Sequence, residues 1–395
     1  MKNKTLLIFL PVLSVTLSGC GSVLNYKEHL DDYVFTMKYH KDFNVLQLTD
    51  IHWNINTSAH ESKTYLEKVL AQTDAHIKAT QGADAKIDLV ELTGDMFMLS
   101  NTYLVDTFVN FFEEQAEKYG FTYAAIWGNH DRHGIYNPNW LGKKFANAKH
   151  SYYFEPNDNL YGRSNFIINL TADGTKGSEV KWQIANLDSG ASFSETSVSP
   201  FRDYDYIRKD QTQWWLAEHT AAGEAVPGLA YYHIPQDENE DLWKDHVESG
   251  VKNMFFKLEG FADNGNEEYA SDFIDVAIKH NLKGAFQGHA HNVDWTVEMV
   301  DGDGNSLLLG LGVKTGIELY YAHIDVNTTD PDMKEGLHSL EGHLDQPITE
   351  NFDLIGASLV TITDAEDDIK GNFDLEHLYL NERKGSDDFV RWVKW

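Results

Sequence analysis

The chain has 395 residues, of which 42% are hydrophobic and 13% aromatic, which is ample for a large globular core. Its 62 acidic and 32 basic residues give a formal net charge of −30, so it repels polyanions, which argues against duplex nucleic acid as a partner. A phosphate-bearing ligand would need a strong local positive charge, which bound metal ions supply. No sequence feature indicates an obligate protein partner.

The first twenty residues differ from the rest of the chain. Lys2 and Lys4 precede an apolar run over 6–17, which is too short to span a bilayer and fits an export signal. The sequence LSGC follows, and it resembles the lipobox of bacterial lipoproteins, in which the cysteine becomes the lipidated first residue of the mature chain. That residue is Cys20, the only cysteine in the sequence. A plain signal peptide followed by an incidental cysteine is the alternative.

These features predict a lipoprotein signal peptide over 1–19 and a lipid-anchored tether over 20–40, where no clear periodicity is visible. The protein would then be exported and held at a membrane through lipidated Cys20, at the cell surface or in the periplasm. Stable anchoring needs more than one acyl chain, which bacterial lipoproteins carry. Because no second cysteine is present, no intrachain disulfide forms, and packing and bound metal would hold the fold.

Beyond residue 41 the chain alternates strand-like and helix-like segments. The first five predicted elements are a strand over 44–49, a helix over 60–81, a strand over 87–93, a helix over 102–119 and a strand over 121–127. This rhythm predicts parallel strands joined by helical crossovers.

The second half of the chain continues the pattern and ends in hairpins. The predicted elements are strands over 165–170, 182–187, 228–232, 283–287 and 357–363, helices near 208–222 and 268–280, and a hairpin over 293–312. Two segments, 236–266 and 327–352, are acidic or irregular, and we interpret them as surface insertions. We expect a single domain over 41–395.

Polar residues cluster directly after five of the predicted strands. They are Asp50 and His52, Gly94 and Asp95, the Gly-Asn-His-Asp sequence at 128–131, His233, and His289 and His291. In open α/β sheets, ligands bind beyond the carboxyl ends of the strands. A turn would explain the Gly-Asn-His-Asp sequence alone. Five such clusters at one rim predict one site.

The clustered residues offer a metal both oxygen and imidazole nitrogen ligands, without a thiolate. Such a set suits Zn, Mn or Fe. In an extended segment, side chains two residues apart point to the same side. Asp50 and His52 can therefore face one metal centre, and so can His289 and His291. The candidates exceed the roughly three or four protein ligands of one ion, and they therefore predict two ions that share a bridging ligand. These candidates are Asp50, His52, Asp95, Asn129, His233, His289 and His291.

The ordered motifs resemble those of the calcineurin-like metallophosphoesterase superfamily, over about 45–291. The resemblance implies a four-layer αββα sandwich, an α/β fold with two mixed β-sheets and a dinuclear metal site at the C-terminal strand ends. His130 would act on the substrate, either by stabilising the transition state or by protonating the leaving oxygen, and Asp131 would orient this catalytic loop. The implied ligands are Asp50, His52, Asp95 and His291 for one ion, and Asp95, Asn129, His233 and His289 for the other, with Asp95 bridging.

The strings LQLTDIH, LTGD, WGNHD, YYHIP and QGHAH bring the chain near the purple-acid-phosphatase-like branch. True purple enzymes carry a tyrosine three residues after the bridging aspartate, where this chain has Met98, and their first motif lacks the histidine present here as His52. The resemblance therefore implies two divalent or mixed-valence ions of Mn, Zn or Fe, without a tyrosinate-to-iron colour.

The expected activity is the hydrolysis of small phosphate esters by a metal-bridging hydroxide, outside the cytoplasm. A monoesterase is favoured, and a phosphodiesterase or nucleotidase on the same site is the alternative. A non-catalytic metal-binding surface lipoprotein is a further alternative. Arg163 and Trp53 are candidate substrate contacts. A surface loop would explain Arg163 equally well, and core packing is the alternative for Trp53.

Overall fold

The structure is a computed structural model of the chain. It describes residues 34–54, 58–132, 138–154, 160–191, 204–249, 254–257, 259–262, 264–265, 270–344, 347–380 and 390–394. The predicted signal peptide over 1–19, the lipidation site Cys20 and the first part of the predicted tether lie outside the described residues.

Most of the described strands form two large sheets. In chain order the strands are β1 Val34–Lys38, β2 Phe43–Leu48, β3 Leu89–Thr93, β4 Thr122–Ile126, β5 Ser151–Tyr152, β6 Phe166–Thr171, β7 Val180–Asn186, β8 Gly228–Tyr231, β9 Met254–Lys257, β10 Leu282–Gln287, β11 Val293–Val300, β12 Ser306–Leu311, β13 His323–Ile324, β14 Phe352–Asp353, β15 Gly356–Ile362, β16 Phe373–Leu380 and β17 Val390–Lys394. One sheet has eight strands in the order β1-β6-β7-β8-β10-β12-β11-β9. The other has seven in the order β17-β16-β15-β2-β3-β4-β5.

Both sheets are mixed. In the seven-stranded sheet, β2, β3 and β4 run parallel, while β15 pairs antiparallel with β2. In the eight-stranded sheet, β7, β8, β10 and β12 run parallel, while β11 returns antiparallel to β12 as the predicted hairpin. The parallel strands of each sheet therefore present their carboxyl ends at one edge, where ligand sites form.

The helices cover the outer faces of the sheets. They are α1 Ser58–Gln81, α2 Thr102–Tyr119, α3 Pro138–Ala146, α4 Lys209–Ala222, α5 Asp237–Ser249, α6 Phe273–Lys279 and α7 Pro331–Glu341. Val69 of α1 and Phe112 of α2 belong to the core on the outer face of the seven-stranded sheet. Trp215 of α4 and Ile274 of α6 do the same for the eight-stranded sheet. A third core lies between the sheets and joins residues such as Val45 to Leu229. The predicted α/β fold with two mixed sheets between helical layers is confirmed.

Local sequence explains the elements that carry the site. All six residues of β2 are buried, as expected for a strand covered on both faces. The helix α2 follows β3, and its first turn is capped by Asn101, whose side-chain oxygen accepts a hydrogen bond from the backbone N–H of Leu104. The helix ends at Gly120, whose φ of 78° is the left-handed conformation that glycine adopts without steric cost.

The predicted extent of the tether, 20–40, is wrong at its C-terminal end. Residues Val34–Lys38 form β1, which pairs in parallel with β6 at the edge of the eight-stranded sheet. The five residues are only half-buried or exposed. An edge strand of this kind lacks the strong apolar periodicity that predicts a buried strand, and its pairing partner lies more than 130 residues further along the chain.

The two predicted surface insertions contain regular structure. The segment 236–266 carries α5 and β9, and β9 pairs antiparallel with β11 at the edge of the eight-stranded sheet. The segment 327–352 carries α7, whose Leu337 and Leu340 are buried in a small separate core. Within the part of the chain that the structure describes, no helix has both the length and the apolar character needed to cross a membrane.

Candidate metal centre

The five polar clusters lie beyond the ends of five strands, and the structure brings them together. Asp50 and His52 follow β2, Asp95 follows β3, and Asn129 follows β4, all from the seven-stranded sheet. His233 follows β8, and His289 and His291 follow β10, both from the eight-stranded sheet. The centre therefore stands where the carboxyl edges of the two sheets meet.

The backbone at these strand ends is held in unusual conformations. Four of the seven described non-glycine residues with positive φ are candidate ligands, namely Asp50, His52, Asp95 and His289. Such conformations are costly and cluster at functional sites, where the surrounding structure enforces them. The strand ends are also packed closely, since a Cβ on Gly128 would stand 2.3 Å from the backbone nitrogen of Asp95.

One group of potential ligands contains Asp50, His52, Asp95 and His291, with one ligand atom of each lying within 4.8 Å of the others. The Nε2 atoms of His52 and His291 are 3.0 Å apart. The Oδ1 atom of Asp50 is 3.3 Å from Nε2 of His291 and 3.9 Å from Nε2 of His52. All four residues are buried.

The second group contains Asp95, His233 and His289, and Asn129 lies among them. The Oδ1 atom of Asn129 is 3.1 Å from Nε2 of His233 and 3.0 Å from Nδ1 of His289. The distance from Nε2 of His233 to Oδ2 of Asp95 is 3.4 Å. Asp95 belongs to both groups, as expected of a residue that bridges two ions.

These distances fit two metal ions. Oxygen and nitrogen ligands bind Zn and similar ions at about 2.0–2.2 Å, so two ligands of one ion stand about 3.0–3.5 Å apart. Most of the separations within the two groups are of this size. The buried Oδ1 atom of Asp50 also makes no hydrogen bond, which is costly unless a cation binds it. The residues present therefore fit a dinuclear site.

Neighbouring groups fix the orientation of the ligands. Nδ1 of His233 donates to the backbone oxygen of Thr93 at 2.9 Å, which turns Nε2 toward the centre. Oδ2 of Asp50 accepts hydrogen bonds from the Thr49 hydroxyl at 2.8 Å and from the backbone N–H of His289 at 2.9 Å. This leaves Oδ1 of Asp50 as the atom directed at a metal.

The electrostatics of the centre separate the ligand histidines into two kinds. Burial lowers the pKa of His52 well below its usual value and lowers that of His289 to about 3, so both are neutral and ready to bind a cation. Burial opposes the charged form of His233, but the Asp95 carboxylate outweighs it and raises the pKa to about 9. A metal ion must therefore displace a proton from His233.

The carboxylates of the centre are held ionised. Burial alone would raise the pKa of Asp50, but the neighbouring imidazole of His291 and the charge of His233 hold it below its usual value. The pKa of Asp95 is likewise held well below its usual value against burial by His233 and His130. Both carboxylates are therefore available as anionic ligands.

His130 and Asp131 lie on a short 3₁₀ turn, His130–Arg132, directly after Asn129. The backbone N–H of His130 donates to Oδ1 of Asp95 at 2.7 Å, and its ring lies 5.0 Å from that of His52. Its side chain lines the cavity beside the centre and belongs to neither ligand group. The buried Asp131 carboxylate accepts hydrogen bonds from the backbone N–H groups of Phe97, at 2.9 Å, and Gly128, at 2.8 Å. Asp131 thus positions the turn.

Three residues of this environment were not predicted from the sequence. The Arg132 guanidinium forms an ion pair with the buried Asp188, which ties the turn that carries His130 to the loop after β7. Asp188 directly follows a strand end, so the same rule that found the ligands would have found it. The buried Lys314 donates to the backbone oxygens of Asp50, at 2.9 Å, and Gly316, at 2.8 Å. Its position in an apolar, glycine-rich run gave no separate signal.

A cavity of about 580 Å³ opens over the centre. Besides Asp95, Asn129, His130, His289 and His291, its described lining includes Met98, Tyr204, Glu259, Phe261, Leu319 and Tyr320. Arg163 is not in this lining, and its backbone N–H donates to Asp188. Trp53 is only 4% exposed and packs against Phe108 and Phe111 of α2. Core packing is therefore the correct interpretation of Trp53, and the predicted contact with substrate is wrong.

Comparison with known proteins agrees with this geometry. The pattern described as calcineurin-like phosphoesterase matches residues 43–293, which is more than half of the chain. The chain belongs to the calcineurin-like phosphoesterase family. Every candidate ligand from Asp50 to His291 lies inside the matched range, so the candidate dinuclear site belongs to the calcineurin-like phosphoesterase domain.

Individual relatives of the chain are distant. An Arabidopsis thaliana protein named probable inactive purple acid phosphatase 29 is 25% identical over 289 residues, which are 65% of this chain and 69% of that protein. Among solved structures, GAP50, the anchor in the inner membrane complex of Plasmodium, aligns over 90% of this chain and 89% of its own, with 10% identity and a TM-score of 0.45. The phosphopantetheinyl hydrolase of Mycobacterium tuberculosis aligns over 70% of this chain and 91% of its own, with 11% identity and a TM-score of 0.37.

Proposed function

We propose that this phosphoesterase hydrolyses small phosphate monoesters with the help of two bound ions of Mn, Zn or Fe. The observation that carries the proposal is the presence of all seven candidate ligands around one centre, with the half-buried His130 beside them at the cavity. A protein that only bound metal would need the ligands but would have no use for an imidazole directed at a ligand in the cavity.

Bound ions would supply Lewis acidity to the phosphoryl oxygens and lower the pKa of a water molecule at the centre. The protein supplies orientation and a proton. His130 lies on the turn next to Asn129, and its imidazole lines the cavity above the centre. There it donates a proton to the leaving-group oxygen of the ester. Asp131 and the Arg132–Asp188 ion pair hold that turn in place.

The proposal is tested with protein that lacks residues 1–20, stripped of metal and reloaded separately with Mn, Zn or Fe. Its rates on an aryl phosphate monoester and on the matching diester are compared, with His130→Asn as the control. We expect metal-dependent turnover, faster on the monoester, and a loss of roughly 10²-fold to 10⁴-fold in kcat in the variant.

Other outcomes select the alternatives. A higher rate on the diester would identify a phosphodiesterase. No turnover with any metal, although two ions are bound per chain, would support a non-catalytic metal-binding protein, a possibility that the name of the Arabidopsis relative raises.

We further propose that the enzyme is exported and acts outside the cytoplasm, anchored through lipidated Cys20. The support is the basic and apolar start of the chain, the LSGC sequence and the use of a single cysteine. In cells that express the full chain, Cys20→Ala should move the protein from the membrane fraction to the soluble fraction and abolish labelling by a fatty acid. Labelling that persists in this variant would overturn the proposal, because no other cysteine is present.

A further inference from the structure

Apart from the candidate ligands and His130, the described lining of the cavity is mostly apolar and aromatic, with one carboxylate. The aromatic side chains are Tyr204, Phe261 and Tyr320, the aliphatic ones are Met98 and Leu319, and the carboxylate belongs to Glu259. No lysine or arginine is among these described lining residues. A leaving group in this cavity thus meets aromatic rings and a negative charge.

Both tyrosines of the described lining lie against candidate metal ligands. The ring of Tyr204 lies 4.3 Å from that of His289, nearly perpendicular to it. The ring of Tyr320 lies 4.8 Å from that of His291. A phosphate held at the centre therefore has one tyrosine beside each histidine of the Gly-His-Ala-His motif, so the group esterified to it lies between or against these rings.

The carboxylate of Glu259 is held at the same place. Its Oε1 atom accepts a hydrogen bond from the backbone N–H of Asn292 at 2.8 Å, next to the ligand His291. Burial and the nearby charge of Glu259 together raise the pKa of the Tyr320 hydroxyl to about 12. The nearby Lys257 does not neutralise it, since the Nζ atom of Lys257 pairs with Glu240 at 3.3 Å.

Aromatic faces combined with a carboxylate are suited to an organic cation. Ammonium groups are attracted to the faces of aromatic rings, and quaternary ammonium ligands are recognised by such arrangements. A second anionic group on the substrate would be repelled by Glu259 and by the net charge of −30. An uncharged sugar would instead require several hydrogen-bonding side chains, and the described cavity lining offers few. The cavity volume of about 580 Å³ lies in the range of small-molecule sites.

We propose that Glu259, Tyr204 and Tyr320 bind the ammonium group of the substrate, and that the preferred substrates are phosphate esters of amino alcohols. This inference rests on the proposed phosphatase activity and names its substrate class. Glu259 supplies the opposite charge, and the two tyrosines supply the apolar and aromatic surface around the alkylammonium group.

The test compares phosphocholine with 3,3-dimethylbutyl phosphate, which has the same shape but carries an uncharged tert-butyl group in place of the trimethylammonium group. Metal-loaded enzyme is assayed on both in a buffer free of amines, because amine buffers would compete. We expect kcat/KM to be about tenfold higher for phosphocholine, because the Glu259 carboxylate and the aromatic rings together attract its ammonium group. In Glu259→Gln this preference should fall to about twofold or less, because only the ester with the ammonium group loses a favourable charge contact. The exposed Glu298 of β11 provides the matched control, and Glu298→Gln should keep the preference.

A binding measurement separates this inference from the proposed activity. Saturation-transfer NMR with free choline and with 3,3-dimethylbutanol should show choline bound to the native protein and not to Glu259→Gln. Turnover of an aryl phosphate together with equal rates on the two matched esters would overturn the inference and leave the phosphatase intact. Selective choline binding without turnover of any ester would support the ammonium site and overturn the phosphatase.

Discussion

Single buried ionisable side chains determine much of the chemistry of this molecule. Glu91 on β3 lies fully buried between the sheets, where one of its oxygens accepts a hydrogen bond from Asn186 at 3.4 Å and the other has no partner. Burial raises its pKa from 4.5 to about 8. The carboxyl group therefore keeps its proton in the folded state at neutral pH and loses it in the unfolded state.

The first prediction concerns the stability contributed by Glu91. Because the folded state binds one proton more between pH 4.5 and 8, stability should fall as pH rises through this window. Glu91→Gln is neutral in both states, so it should become more stable than wild type with rising pH, by up to about 1.4 kcal/mol per pH unit. Urea unfolding at pH 5, 6.5 and 8 measures this. The exposed Glu179→Gln is the control, and parallel pH profiles for Glu91→Gln and wild type would contradict the prediction.

The second prediction concerns Lys314, whose ammonium group holds the loop that carries Asp50. Burial lowers its pKa to about 8, so the charge is retained at neutral pH through its backbone partners and nearby carboxylates. Lys314→Met removes the donor to the Asp50 carbonyl, and we expect metal affinity to drop about 10-fold to 100-fold. Titration of loaded protein with a chelator measures it. Lys370→Met, which alters an exposed ion pair, should have no effect, and equal affinities in both variants would refute the role.

At the scale of elements, the short turn after β4 is the part on which the proposed proton transfer depends. Arg132 and Asp188 fasten it to the loop after β7, and Asp131 fastens it to Phe97 and Gly128. None of these five residues lines the cavity. Their effect on catalysis would pass through the position of His130.

The third prediction tests this positioning. Arg132→Lys keeps the positive charge but removes the guanidinium nitrogen that donates to Asp188, so kcat should fall about tenfold while KM and metal content change little. In the His130→Asn background the same substitution should leave kcat almost unchanged, because the imidazole that Arg132 positions is absent. The four proteins form a double-mutant cycle on an aryl phosphate. Additive effects of the two substitutions would show that Arg132 acts independently of His130.

The same elements show what can be predicted from sequence. Buried parallel strands such as β2 and β3 are continuous apolar runs, and polar residues after their ends must lie at one sheet edge, so the ligand set could be found. The edge strand β1 and the pairing of Arg132 with Asp188 could not be found in this way, although the strand-end rule indicates Asp188 by itself. Each depends on a partner distant in sequence, and neither a half-buried strand nor a single arginine has a local pattern that names its partner.

At the scale of the whole molecule, the metal centre joins the two sheets. The seven-stranded sheet supplies Asp50, His52, Asp95 and Asn129, and the eight-stranded sheet supplies His233, His289 and His291. Ions bound here would therefore add cross-links between two sheets that are also joined by packing and by hydrogen bonds such as that from Asn186 to Glu91.

The fourth prediction follows from this arrangement. Metal that binds only the folded state should raise the melting temperature as the metal concentration increases. At a free metal concentration one hundred times the Kd, it should add about 2.7 kcal/mol to the free energy of unfolding. Calorimetry of stripped protein with increasing Mn or Zn measures the effect. His291→Ala should show a smaller rise, whereas His323→Ala, outside the centre, should match wild type. A melting temperature that does not respond to metal would mean that the sheets are joined without help from the ions.

The distribution of ligands along the chain also sets an order of assembly. The first ligand, Asp50, and the last, His291, are 241 residues apart. The strand β2, which directly precedes Asp50, also needs β15 at Gly356–Ile362 as its neighbour. A growing chain on the ribosome therefore cannot build the dinuclear centre until nearly all of it has emerged. Metal capture becomes a late event of biosynthesis, and a prematurely terminated product would carry the first motifs without any capacity for catalysis.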